Sequence, residues 1–157
     1  MAIAPNTTFV SGAILTAAQQ NAFGFGIVAT ATSSAVTLTG TVEAVSITAS
    51  TFTAIANRYY KITYTEGQIY LSGAYQNPGS ARIRLTNAAG TLKGLSSFYN
   101  SSTITVGAVV TCITTLPAGA TVIVGTLGVA QTPGASTWNA YRTELPAQIW
   151  VEDIGPA

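Results

Sequence analysis

Histidine is absent from these 157 residues, cysteine and methionine occur once each, and only 7% of side chains carry a formal charge. Without histidine the chain lacks the commonest general base and the commonest neutral metal ligand. The Ser-His-Asp and Cys-His nucleophilic systems are excluded with it. A single cysteine excludes an internal disulfide framework, and one cysteine without histidine leaves no structural zinc site. Cys112, in "VVTCITT", stands among β-branched residues and reads as a small buried hydrophobe. The hydrophobic fraction of 48% is ordinary, whereas about 25% charged residues would be usual. Thr, Ser, Asn, Gln and Gly must therefore supply the polar surface. Low charge is typical of large permanent interfaces, so coverage of much of this surface by partners is the expectation. A neutral secreted or cell-surface β-protein is the alternative.

The few charges are also dispersed. The net charge is +1, and Arg58, Lys61, Arg82, Arg84, Lys93 and Arg142 form no run. Nucleic acid and anionic membranes are not expected partners. No basic residue precedes Arg58, so no secretory leader is expected. Residues 94–141 carry no formal charge, but Pro117, Pro133 and several glycines interrupt them. A membrane helix needs about 20 predominantly apolar residues, and "LPAGA" breaks the best run, so no membrane span is expected.

The carboxylates are Glu43, Glu66, Glu144, Glu152 and Asp153. Paired carboxylates could hydrolyse a glycosidic bond if Glu43 and Glu66 met, but nothing in their spacing requires it. Glu152 and Asp153 are adjacent on an expected strand and point to opposite faces, which disfavours a shared calcium cage. They read as ordinary solvated or terminal charges. "GFG" at 24–26 follows a helical stretch rather than a strand, so it is a hinge rather than a dinucleotide fingerprint. No enzyme activity, cofactor or metal is expected.

What is present is periodicity. Thr16 with Gln19 three positions later forms a capping-box arrangement, and Gly24 is a natural stop, predicting a short helix over 17–23. A helix this short is marginal alone and needs a surface to lie on. From Ile27 onward the period becomes two. "VEAVSIT" (42–48) places Val45 and Ile47 on one face. "RYYKITYT" (58–65) places Tyr60, Ile62 and Tyr64 opposite Tyr59, Lys61 and Thr63. Glu66-Gly67 suggests a turn into a second strand at 68–75. "ARIRLTN" (81–87) sets Ile83 and Leu85 inward and Arg82 and Arg84 outward, followed by a turn at "NAAG". Residues 102–115 read as one strand, or two with a bulge at Gly107. Strands at 121–130 and 147–154 complete a set of about eight separated by Gly/Pro/Asn turns. The expected fold is all-β: an antiparallel, jelly-roll-like β-sandwich over 27–157, with an arm containing the short helix over 1–26. "TVIVGTLGV" is apolar on both faces, so a second subunit is expected to cover the face the core does not.

Tyr59, Tyr60, Tyr64, Tyr70 and Tyr75 fall in two strands that could pair as a hairpin. Exposed tyrosines on a sheet can stack on sugar rings, which makes a glycan-binding module the alternative function. The plainer reading divides them between the core and cross-strand pairs.

"TFVSGAILTAAQQNAFGFGIVA" (8–29) resembles the opening of small virion proteins of tailed bacteriophages. Phe9, Gly12, Leu15, Thr16, Ala17, Ala18, Gln19 and Asn21 carry the phrase, and Val151, Glu152, Asp153, Gly155 and Pro156 carry a similar tail. "GFG" departs from that pattern where a proline or arginine would be expected. The resemblance implies a non-enzymatic structural protein of the virion, assembled in the host cytoplasm. It would decorate or cement the capsid, or form part of a head or tail appendage such as a fibre. Implied partners are copies of itself, as a homotrimer, and major capsid or tail proteins. The arm would dock through Phe9, Ile14, Leu15, Phe23 and Phe25; a host-receptor glycan is the alternative ligand.

Overall fold

The computed structural model describes residues 25–34, 37–73, 78–99, 105–129, 136–142 and 144–157. These are all-β and every strand pairing is antiparallel. In chain order the strands are β1 (Gly26–Ser33), β2 (Thr37–Gly40), β3 (Ala44–Thr48), β4 (Phe52–Ala54), β5 (Arg58–Gly73) and β6 (Gly79–Leu85). They continue with β7 (Leu92–Phe98), β8 (Val106–Thr115), β9 (Gly119–Thr121), β10 (Ile123–Val129), β11 (Ser136–Tyr141) and β12 (Ala147–Pro156). No helix occurs among the described residues, and the expected helix, with Phe9, Ile14, Leu15 and Phe23, lies outside them.

Two sheets face each other, broadly as a sandwich. One runs β1-β12-β5-β11-β2, with β8 on the other side of β5; the second runs β3-β10-β6-β7. The short pair β4-β9 stands apart. The core is the alternate side chains of both inner faces. Ile62, Tyr64, Ile149 and Val151 of the larger sheet and Ile83, Ile123 and Leu127 of the smaller are completely buried. Tyr64 fits because its ring lies over Gly125, where a Cβ would come within 2.8 Å of it.

Three expectations are corrected, two of them by bulges. No turn occurs at Glu66-Gly67; β5 runs through as one strand of 16 residues. An extra residue there lets Glu66 face Ala108 and Ile69 face Val106, so the inward side chains switch from even to odd numbers. The expected hairpin of tyrosines is therefore one strand. The same step changes β5's neighbour from β12, paired through Thr65, to β11, paired from Gln68. Gly67 is required here because Leu145, in the β11–β12 connection, lies so close that an added Cβ would meet its Cβ at 2.3 Å. The bulge anticipated at Gly107 thus belongs to the opposite strand.

The second correction lies in β3, where Ser46 is the extra residue: Ile47 faces Gly125 and Val45 faces Thr126. Val45 and Ile47 consequently point to opposite faces, Val45 exposed and Ile47 buried. The third concerns β10, whose residues are buried on both faces as the pattern suggested. The cover over its outer face comes from the same chain. Glu43 lies across that face, accepting hydrogen bonds from Thr126 Oγ1 (2.6 Å), Arg84 Nε (2.5 Å) and Arg82. Gly128 makes room, since a Cβ there would come within 3.1 Å of Glu43 Cβ. A second subunit is not needed to bury β10. Finally, β7, β11 and the short strands β2, β4 and β9 add to the expected set: segments of three to six residues leave little periodic signal, and the bulge at Lys93 breaks the alternation of β7.

Candidate functional site

The inward row of β5 begins and ends with a charge. Arg58, Tyr60, Ile62, Tyr64 and Glu66 are all buried in succession. At one end Arg58 forms a two-pronged ion pair with Asp153, Nε to Oδ2 at 2.6 Å and Nη2 to Oδ1 at 2.7 Å. Gly155 N also donates to Asp153 Oδ1, across a bulge in β12 where Gly155 adopts φ 120°. The Arg58 guanidinium carbon sits 4.4 Å from the centre of the Phe25 ring, a cation–π contact.

At the other end Arg142, just past β11, reaches inward at the fork between β11 and β12. Its Nε donates to Glu66 Oε1 at 2.7 Å and its Nη2 to Glu66 Oε2 at 2.6 Å. Neither side chain exposes any surface. Ser46 Oγ donates to Glu66 Oε2 at 2.6 Å and accepts from Arg142, while Ser33 Oγ accepts from Arg142 Nη1 at 2.9 Å. Tyr64 Oη lies 2.9 Å from both Ser46 Oγ and Glu66 Oε2. Burial, reinforced by the Glu66 charge, pushes the Tyr64 phenol well above its ordinary value of 10.0. The β3 bulge has a role here, since it turns Ser46 inward alongside Ile47. Buried charges need this density of partners, because the cost of desolvation is several kcal/mol per ion.

Most of the remaining charges are also engaged. Burial pulls the Glu43 carboxyl upward, but hydrogen bonds from Arg84 and Thr126 and the charges of Arg82 and Arg84 outweigh it, holding the group below 4.5. Lys61 and Glu152 form a partly exposed pair at 3.5 Å, and Lys93 Nζ donates to Thr114 Oγ1 at 3.3 Å. Five of the six basic residues thus meet a carboxylate. Glu144 is the exposed carboxylate outside these pairs. Glu152 and Asp153 do face opposite sides, but Asp153 is buried and paired rather than solvated. Glu43 and Glu66 do not meet: one lies on the outer face of the smaller sheet, the other in the core. Among the described residues no group of three His, Cys, Asp or Glu could hold a metal ion, and no helix is long and apolar enough to cross a membrane.

The tyrosines follow the plainer reading. Tyr60 and Tyr64 are buried, and Tyr60 packs on Phe52 with ring centres 5.8 Å apart. Tyr70 stacks on Tyr141 at 5.2 Å, and their hydroxyls hydrogen-bond to each other at 2.9 Å. Tyr75 lies outside the described residues.

Of the five docking residues expected from sequence, Phe25 alone is described, and it is 54% exposed at the root of the arm. It borders a shallow depression with Ile55, Asn57, Arg58 and Pro156. Sequence reasoning missed the other outward apolar side chains. Val109 and Ile113 project from the outer face of β8, and Val45, Leu92 and Leu95 surround the Glu43–Arg82–Arg84 cluster on the outer face of the smaller sheet. For Val109 and Ile113 the signal was the period of two within "VVTCITT", which puts them opposite Val110 and Cys112. No family model matches the sequence, and no curated protein matches it.

Proposed function

We propose that the chain is a non-enzymatic structural protein of a tailed-phage virion, decorating or cementing the capsid or forming part of a head or tail appendage. The observation that carries this reading is the disposition of charge. The ion pairs are internal to the chain, and the outer faces expose Phe25, Val45, Leu92, Leu95, Val109 and Ile113. Such surfaces adhere through apolar burial with little electrostatic steering, as permanent interfaces do.

A jelly-roll wiring is part of the proposal. Setting aside β2, β4, β9 and β11, the eight remaining strands have the orders β1-β12-β5-β8 and β3-β10-β6-β7. Numbered one to eight along the chain, these become 1-8-3-6 and 2-7-4-5, the pattern of two interlocked Greek keys. That architecture recurs in viral capsid and lectin domains, which makes it a support by analogy only. Residues 1–26 are the docking arm in this reading, with Phe25 stacked on Arg58 at its root.

The test is to purify virions of the phage whose genome carries the sequence and label them with gold-conjugated antibody against the folded chain. Regular labelling of head or tail is expected; particles free of the chain would overturn the proposal.

A further inference from the structure

The edges of the two sheets are not alike. The outer edge of β1 is engaged by Ser50, whose N donates to Thr30 O at 3.2 Å and whose Oγ accepts from Thr30 N at 3.3 Å. β2 is four residues long. β7 has a bulge at Lys93 and carries that charge. β8 has none of these protections. It is ten residues long, "VGAVVTCITT", without charge or proline, and it pairs only with β5 among the described residues. Lys93 reaches Thr114 Oγ1 and lies 3.5 Å from Thr115 O, at one end of the strand. Among the described residues the rest of the outer edge is an open ladder of backbone donors and acceptors, the template on which another strand adds.

We infer that β8 pairs antiparallel with β8 of a second copy of this chain, about a two-fold axis through Thr111, joining the larger sheets of two protomers. The sequence is complementary to itself in that register. Thr111 lies opposite its own mate, and Val109, 62% exposed, lies opposite Ile113 of the other copy, 61% exposed, once on each side of the axis. Opposed residues in an antiparallel pair share a face, so both apolar pairs form on the outer surface of the joined sheet. A two-fold axis also brings like near like. A charged edge would repel itself; β8 carries no charge, and Lys93 reaches only its Thr114–Thr115 end. The ladder from Gly107 to Thr115 would supply about eight to ten backbone hydrogen bonds, the number a standard interface carries. An isologous contact of this kind closes on itself and gives a dimer, not the trimer the resemblance implied.

The inference names the self-contact within the proposed structural role and is tested on the free full-length chain by sedimentation velocity across a concentration series. A reversible dimer of twice 16.0 kDa is expected. Val109→Lys with Ile113→Lys places lysines opposite lysines and should weaken the dimer by at least about tenfold. Both positions are exposed, so the melting temperature should remain near that of the parent. Val109→Glu with Ile113→Lys is the decisive control, because in this register alone each glutamate faces a lysine, and dimerisation should return. A monomer at all concentrations, a trimer, or a dimer indifferent to the double lysine variant would overturn the pairing. A second readout is Thr111→Cys in a Cys112→Ala background, which should cross-link across the axis on mild oxidation; no cross-linked dimer would also count against it. Dimerisation through β8 by a chain absent from virions would refute the structural role alone, whereas a virion protein whose free form ignores these substitutions would refute the pairing alone.

Discussion

Replacing Glu66 by glutamine tests whether the Arg142 site is as dry as its geometry indicates. The substitution keeps the shape and removes the charge. Glu66 Oε1 accepts from Arg142 Nε, and Oε2 accepts from Arg142 Nη2 and Ser46 Oγ. An amide must turn a donor NH2 toward one of these sets of donors, and it leaves a fully buried guanidinium without its counter-charge. Breaking a buried pair in this way costs about 3–5 kcal/mol. Total stability for a domain is about 5–15 kcal/mol, so the loss is a large part of it. With a urea dependence of about 2 kcal/mol per molar, the unfolding midpoint should fall by about 1.5–2.5 M. The melting temperature should fall by about 6–20 °C. Circular dichroism during a urea titration measures the first quantity. The double variant Glu66→Leu, Arg142→Met removes both charges and should recover more than half of the loss. It should not recover all, because Ser33, Ser46 and Tyr64 each lose a partner; the cost stays small because Tyr64 Oη and Ser46 Oγ keep each other and Ser33 is only half-buried. A midpoint shift below about 0.5 M for Glu66→Gln would show that water reaches the pair, and the reasoning about its burial would fail.

Other outcomes follow from the same contacts. Glu43 is held below its ordinary range, so its contribution to stability is present above about pH 4.5 and is lost as the pH falls through its lowered folded-state value; Glu43→Gln should flatten that acid limb in pH-dependent urea titrations. Gly125→Ala would place a Cβ 2.8 Å from the Tyr64 ring and 2.9 Å from Ile47 Cγ2, and should destabilise by about 1–3 kcal/mol in thermal melts. Burial raises the Cys112 thiol, an effect only partly offset by the Lys93 charge, so Ellman's reagent should modify it more slowly in the native chain than in urea at pH 8. Deleting residues 1–24 should leave a cooperatively melting β-protein that no longer joins the particle; normal incorporation of the truncated chain would remove the docking role of the arm.

Much of the strand content was legible because alternation survives wherever one face is buried. Tyr60, Ile62 and Tyr64, and Ile83 against Arg82 and Arg84, fall where a period of two places them. The errors cluster at residues that change the phase of that alternation. Gly67 reads as a turn by composition, and nothing in the local sequence distinguishes a turn from a bulge within a through-strand. Ser46 gives no signal at all, since a bulge in β3 is set by its pairing with β10. The charge network was half visible: Arg58 and Glu66 stand at even spacing from the three core residues between them, which already puts them on the inward face. Their partners, Asp153 and Arg142, are 95 and 76 residues away in sequence and become neighbours only through the sheet order. Sequence periodicity also overstated the need for a second subunit at β10, because it could not foresee Glu43 lying across that strand.

Gly67 carries a consequence for how this chain could change over time. Upstream of it, even-numbered side chains of β5 form the interior; downstream, odd-numbered ones do. Loss of that single residue would remove the bulge and restore strict alternation, with Ile69 and Leu71 following Glu66 at a period of two, still inward and still opposite the same residues of β8 and β11. A one-residue deletion there would therefore spare the inward row, whereas a one-residue deletion between Tyr60 and Tyr64, where no bulge absorbs it, would act on the fold as several simultaneous core substitutions.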